Sequence, residues 1–249
     1  MGLFDFFDAF KSGPSERKID AAATVLSTRH GEPARRYEAA DRLAAWADEE
    51  PSAIDGLLSR YRITSEKEMS DEEEKAHVHR LLDKLGAEKV VPAIERYLKR
   101  EPQVGWPLRI LSGMVSEDDF RQRVCQVLSR LDTQFDRHPE RKVEMIHALM
   151  DHASHEEVGT TVGPFLEDTD DTVRMAAGEL LSQAPDEERG QLLVNALLDS
   201  TDRPRVLDAL IKSIAARDVS VAGRKAEVEP LLPEGYYLTR QGMVRRLDK

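Results

Sequence analysis

Residues 165–181 read FLEDTDDTVRMAAGELL, and this stretch decides the fold. Asp168, Asp170 and Asp171 interrupt one helix and offer short carboxylates to cap the start of the next. From there Val173, Ala177, Leu180 and Leu181 recur at the three-and-four spacing of a helix with one apolar face. Inside that helix sits a frame. It holds a basic residue at Arg174, a small pair at Ala177 and Gly178, and an apolar residue at Leu181.

The frame recurs upstream as Arg36, Ala39–Ala40 and Leu43. A weaker copy is Arg109 with Ser112–Gly113, where polar Ser116 takes the last position. Arg205 with Asp208–Ala209 keeps half of the small pair, while Lys75 with Leu82 and Lys142 with Leu149 keep only the ends. The basic marks at 36, 75, 109, 142, 174 and 205 are separated by 39, 34, 33, 32 and 31 residues. An acidic insert over 64–74 accounts for the long first interval, and its run 66–74 reads as a solvated loop.

This period predicts about six helix pairs. First helices are expected near 16–29, 51–62, 87–100, 117–131, 155–167 and 187–199, each followed by a second helix around its basic mark. Ser154 with Glu157 and Ser70 with Glu73 have the spacing of capping boxes, and Pro139 suits a first turn. An isolated helix pair cannot bury its apolar stripe, so neighbours must stack. The small pairs allow close approach, and the basic ladder is expected to bond the Asp-rich turns of neighbouring repeats.

These residues resemble the HEAT repeats of bacterial α-solenoid proteins, including the HEAT-type bilin lyase subunits. The pattern L-x-D-x-D-x-x-V-R is met by Leu166, Asp168, Asp170, Val173 and Arg174, and Asp136, Asp168 and Asp199 each stand six residues before a basic mark. The likeness covers residues 15–217. In the first three repeats His30, Met69 and Gln103 replace that Asp, so those repeats rest on spacing alone. The resemblance implies an all-α, armadillo-like, right-handed α-solenoid whose second helices line a concave face.

Composition agrees with an all-α chain: 33% of residues are charged, 6% are aromatic, and Leu and Ala fill the periodic positions. A net charge of −11 disfavours nucleic acid and anionic membranes as partners, because phosphate neutralisation supplies most of such affinity. The single cysteine, Cys125, excludes an internal disulfide and leads to the expectation of a cytoplasmic protein. The first ten residues lack a basic n-region, and Phe6 stands where a myristoylation pattern needs Ser or Thr.

Phe4, Phe6, Phe7 and Phe10 make residues 1–14 an amphipathic segment, expected to cap the first repeat or to dock on a partner or a membrane interface. Residues 218–249 form a different kind of tail. Pro230 and Pro233 stop the helical pattern, and YYLTRQGMVRRL over 236–247 reads as two short strands around Gln241–Gly242. A lone hairpin is marginal, so it is expected to cover the last helix pair.

No catalytic, cofactor or metal constellation follows from spacing. Metal-dependent hydroxylases of HEAT architecture need several His-Glu pairs, and here only His155–Glu156 exists. His147 and Asp151 share a helix face, but no third ligand has fixed geometry. Cys125 reads as a small buried apolar residue. The expected function is a non-catalytic protein–protein interaction scaffold, with Trp106, Arg109, Arg174 and Arg205 as partner contacts. The alternatives are a lyase-type enzyme subunit and a solenoid of the DNA glycosylase kind, the latter disfavoured by the acidic charge.

Overall fold

The computed structural model describes residues 13–65 and 68–247. Among these the chain is mostly helical, closed by one small sheet. It divides into two compact units, 1–117 and 118–249.

The first unit holds α1 (Glu16–Leu26), α2 (Pro33–Trp46), α3 (Ser52–Leu58), α4 (Glu68–Leu85), α5 (Ala87–Arg100) and α6 (Gly105–Met114). A 3-10 turn, Ser59–Arg62, extends α3. Neighbours pair as α1 with α2, α3 with α4 and α5 with α6, while α1–α3–α5 and α2–α4–α6 form two layers. The apolar stripes meet between the layers: Leu26, Leu43, Leu57, Leu82, Ile94 and Leu111 are at most 1% exposed.

The second unit follows with α7 (Glu117–Leu128), α8 (Glu140–Ala148), α9 (Glu156–Val162), α10 (Asp171–Gln183), α11 (Glu187–Leu198) and α12 (Pro204–Ala216). A 3-10 turn, Gly163–Glu167, prolongs α9. Here α8, α10 and α12 pack in succession, α9 packs against α10, and α11 against α12. Gly178 shows why the small pair is needed: a Cβ there would overlap the Leu210 side chain of α12. All six basic marks fall inside second helices, and the first helices start within one residue of their expected positions.

Asp170 caps α10 by accepting from the Thr172 and Val173 amides. The two capping boxes do not form. His155 is the cap residue of α9, so Ser154 lies outside the helix. Ser70 lies within α4 and donates to Glu74 at 2.9 Å. The expected acidic loop is overturned as well, since α4 begins at Glu68 and buries Asp71 and Glu74 to 2% exposure. Buried cations pair with these carboxylates, Arg36 with Glu74 and Arg60 with both.

After α12 come a short helix, α13 (Lys225–Val228), and an antiparallel hairpin of β1 (Tyr236–Leu238) and β2 (Val244–Arg246) in register Tyr236–Arg246 and Leu238–Val244. Gly242 takes φ of 82°, which the tight connection requires. Val244, 1% exposed, belongs to the strand packed on α12. No helix among the described residues is long and apolar enough to cross a membrane.

Candidate functional site

The basic ladder separates into buried and exposed members. Arg36, Lys75 and Lys142 are 3%, 6% and 0% exposed, whereas Arg109 and Arg205 are exposed. Lys142 of α8 reaches forward to the Asp-rich turn before α10, its Nζ 2.8 Å from Asp168 Oδ2. Arg174 donates to the carbonyl of Asp168 at 2.5 Å, and Arg203 bonds Asp171 of the same turn at 2.5 Å. In the second unit cations thus tie α8, α10 and the residue before α12 to the Asp-rich stretch 168–171.

In the first unit the buried cations gather into one cluster. Arg36 of α2 grips Glu74 of α4 through two nitrogens, at 2.6 and 2.8 Å, and donates to the Thr28 and Gly31 carbonyls. Arg60 bonds Asp71 at 2.6 Å and Glu74 at 3.1 Å, and Lys75 sits 2.6 Å from Asp71. Burial alone would push the Asp71 carboxyl up. Hydrogen bonds from Lys75, the Ser65 amide and Arg60 outweigh it and hold the group at about 2. The same opposition lowers Glu74, with Arg36 and Ser70 as the main donors. Nothing in the sequence flagged Arg60, which is fully buried.

Among the expected partner contacts, Trp106 and Arg109 lie together in the first unit. The indole stacks on Tyr61 at 5.7 Å, His79 meets it edge-on, and the Arg109 guanidinium sits 4.8 Å from the ring centroid. Arg174 and Arg205 belong to the second unit, and Arg174 is engaged by the turn described above. Phe4, Phe6, Phe7 and Phe10 lie outside the described residues. Near the chain's start, Ala21, Ala22, Val25, Ala39 and Trp46 line a groove of about 470 Å³ between α1 and α2.

His152 and His155 lie 6.1 Å apart between ring centroids, with Phe120 beside the first and Arg121 3.3 Å from the second. His147 is exposed at the end of α8. No three His, Cys, Asp or Glu residues among those described are placed to share a metal ion. Cys125 is 2% exposed, and burial pushes its thiol up to about 11, which keeps it protonated and unreactive at neutral pH.

A groove of about 690 Å³ in the second unit was not anticipated. Glu156, Gly159, Thr160, Gly163 and Glu167 line it from α9 and its 3-10 extension, at the three-and-four spacing that puts them on one stripe. Asp186, Glu188, Arg189 and Leu192 supply the opposite wall from the start of α11. The glycines make the floor low. A Cβ at Gly159 would stand 2.6 Å from Arg189 Nε. Arg189 is 5% exposed, and its guanidinium donates to the carbonyls of Ala153, His155 and Ala184 at 2.5–2.8 Å. Glu156, Glu167 and Glu188 make no ion pair among the described residues. The groove is thus acidic, glycine-floored and open, and it lies on the layer of first helices. The resemblance had instead implied a binding face on the second helices.

Comparisons with protein-family models, with curated proteins and with solved structures found no match.

Proposed function

We propose that this chain is a non-catalytic scaffold, an α-solenoid of HEAT-type helix pairs that binds an extended segment of a protein partner. The reading places that segment in the groove of the second unit and makes it basic. The supporting observation is the contrast between the groove and the interior. The buried carboxylates Asp71, Glu74 and Asp168 are each paired with a cation, while Glu156, Glu167 and Glu188 line an open groove without an ion pair, and the one cation of its lining, Arg189, is engaged by backbone carbonyls and Asp186.

A cationic segment laid across low glycines can approach the helix backbone closely. Three carboxylates on two walls then discriminate by charge and set the on-rate more than the ultimate affinity. Exposed ion pairs contribute about 0.2–1 kcal/mol each, so the three together account for roughly ten-fold in affinity.

The test is fluorescence anisotropy of a labelled arginine–glycine repeat peptide titrated with the full chain. Wild type is expected to bind with an affinity that falls as salt rises. The triple variant Glu156→Gln, Glu167→Gln, Glu188→Gln should lose about ten-fold. A control with Glu50, Glu72 and Glu88 changed to Gln carries the same net charge and should bind as wild type does. Equal losses in both variants would reduce the groove to a non-specific charge effect and overturn the assignment.

A further inference from the structure

A second site lies in the first unit, independent of the groove. We propose that the cavity at the start of α2 binds a tetrahedral oxyanion of the phosphate type. The cavity encloses about 270 Å³ and is lined by Arg29, Gly31, Pro33, Arg36, Ser65 and Ser70, with His30 and Glu32 completing its rim.

Four features of different origin converge there. First, α2 is a 14-residue helix whose N-terminus has no side-chain cap; Pro33 carries no N–H and the Arg35 and Arg36 amides donate to the Glu32 carbonyl, so the Ala34 amide and the positive dipole end stand available. Secondly, Ser65 is 7% exposed, and its hydroxyl has no hydrogen-bond partner among the described residues. A buried polar group left this way costs about 1–3 kcal/mol unless a ligand engages it. Its amide is already held by Asp71 at 2.7 Å, so the residue is fixed on the cavity wall with a hydroxyl in reserve.

Thirdly, the ionic cluster behind the wall is not neutral. Arg36, Arg60 and Lys75 face only two buried carboxylates, Asp71 and Glu74, which leaves one positive charge in excess next to the cavity. Uncompensated charge in a medium of low polarity is costly, and an anion at its edge relieves it. Finally, Arg29 is exposed at the rim and forms no ion pair among the described residues. The one acidic residue at the rim, Glu32, has its carboxylate 3.3 Å from Arg35, with both side chains exposed.

In this arrangement the Ala34 amide and the Ser65 hydroxyl donate to the oxyanion, Arg29 closes over it, and Arg36 supplies field rather than contact. Its guanidinium is already engaged by Glu74 and by the Thr28 and Gly31 carbonyls.

The test is a titration of the full chain with sodium phosphate against sodium chloride at matched ionic strength. It is followed by calorimetry and by the thermal midpoint of tryptophan fluorescence, since both tryptophans, Trp46 and Trp106, lie in this unit. Wild type should bind phosphate and gain in midpoint. Arg29→Ala and Ser65→Ala should each weaken binding by about ten-fold, the worth of a hydrogen bond to a charged group. Ser65→Ala should do so without lowering the midpoint in chloride, because it removes only the unpartnered hydroxyl.

Parallel titrations with sulfate and with O-phosphoserine identify the source. Binding of phosphoserine assigns the site to a phosphomonoester, and binding of the free ions alone assigns it to an inorganic oxyanion. If no arm exceeds the chloride control, or if both variants bind as tightly as wild type, the proposal is overturned.

Discussion

Replacing Lys142 by Met tests how the repeats are joined in the second unit. The Lys142 and Asp168 side chains are 0% and 1% exposed, and their charged atoms lie 2.8 Å apart. Met keeps most of the stem volume, so the packing term is small. What remains is a carboxylate buried without its cation, for which breaking a buried pair costs about 3–5 kcal/mol. Asp168 retains one donor, the Asp170 amide at 2.9 Å, which places the expectation at the low end, about 3 kcal/mol. With a urea dependence of about 1–3 kcal/mol per molar, the midpoint by far-ultraviolet circular dichroism should fall by on the order of 1 M. Adding Asp168→Asn removes the stranded charge while keeping an acceptor for the Asp170 amide, so the double variant should recover at least half of the loss. A cost below about 1 kcal/mol in the single variant, or no recovery in the double, would refute the claim that this pair holds α8 to the turn before α10.

Two further outcomes follow from the same packing. Gly178→Ala should destabilise the second unit by about 1–3 kcal/mol, because the new methyl meets Leu210 in a core that is already filled; thermal melts of the variant check it. Acid should weaken the first unit. Asp71 and Glu74 are held below their unfolded values, so their contribution is complete above about pH 4.5 and is lost as pH falls towards 2. For Asp71 the loss is on the order of 2 kcal/mol. Urea midpoints read by tryptophan fluorescence should fall between pH 6 and pH 3, less steeply in Glu74→Gln than in wild type.

Much of the fold was legible because the residues that set it act locally. The Val173-to-Leu181 stripe, the Asp170 cap and the turn at Gly242 depend on neighbours within a few positions, and each formed as the pattern indicated. The ladder was legible in position but not in fate. Arg36 and Lys142 find their partners 38 and 26 residues away, and only the assembled layers decide that Arg109 stays exposed while Lys142 is buried. The run Glu66–Glu74 misled because charge density alone suggests hydration, whereas Arg60, itself unflagged, draws Asp71 and Glu74 inside. The groove left a faint sequence signal. Glu156, Gly159, Thr160, Gly163 and Glu167 form a helical stripe without a large apolar side chain, which marks a face turned away from the core. Arg189 could be assigned no role until α9 and α11 were side by side.

The central claim, that a basic segment lies in the groove of the second unit, is tested most directly by hydrogen exchange of the full chain with and without the arginine–glycine peptide. Slowed exchange confined to residues 154–167 and 186–192 is the predicted result. Slowing around Trp106 and Arg109 instead, or no change anywhere at saturating peptide, would contradict it.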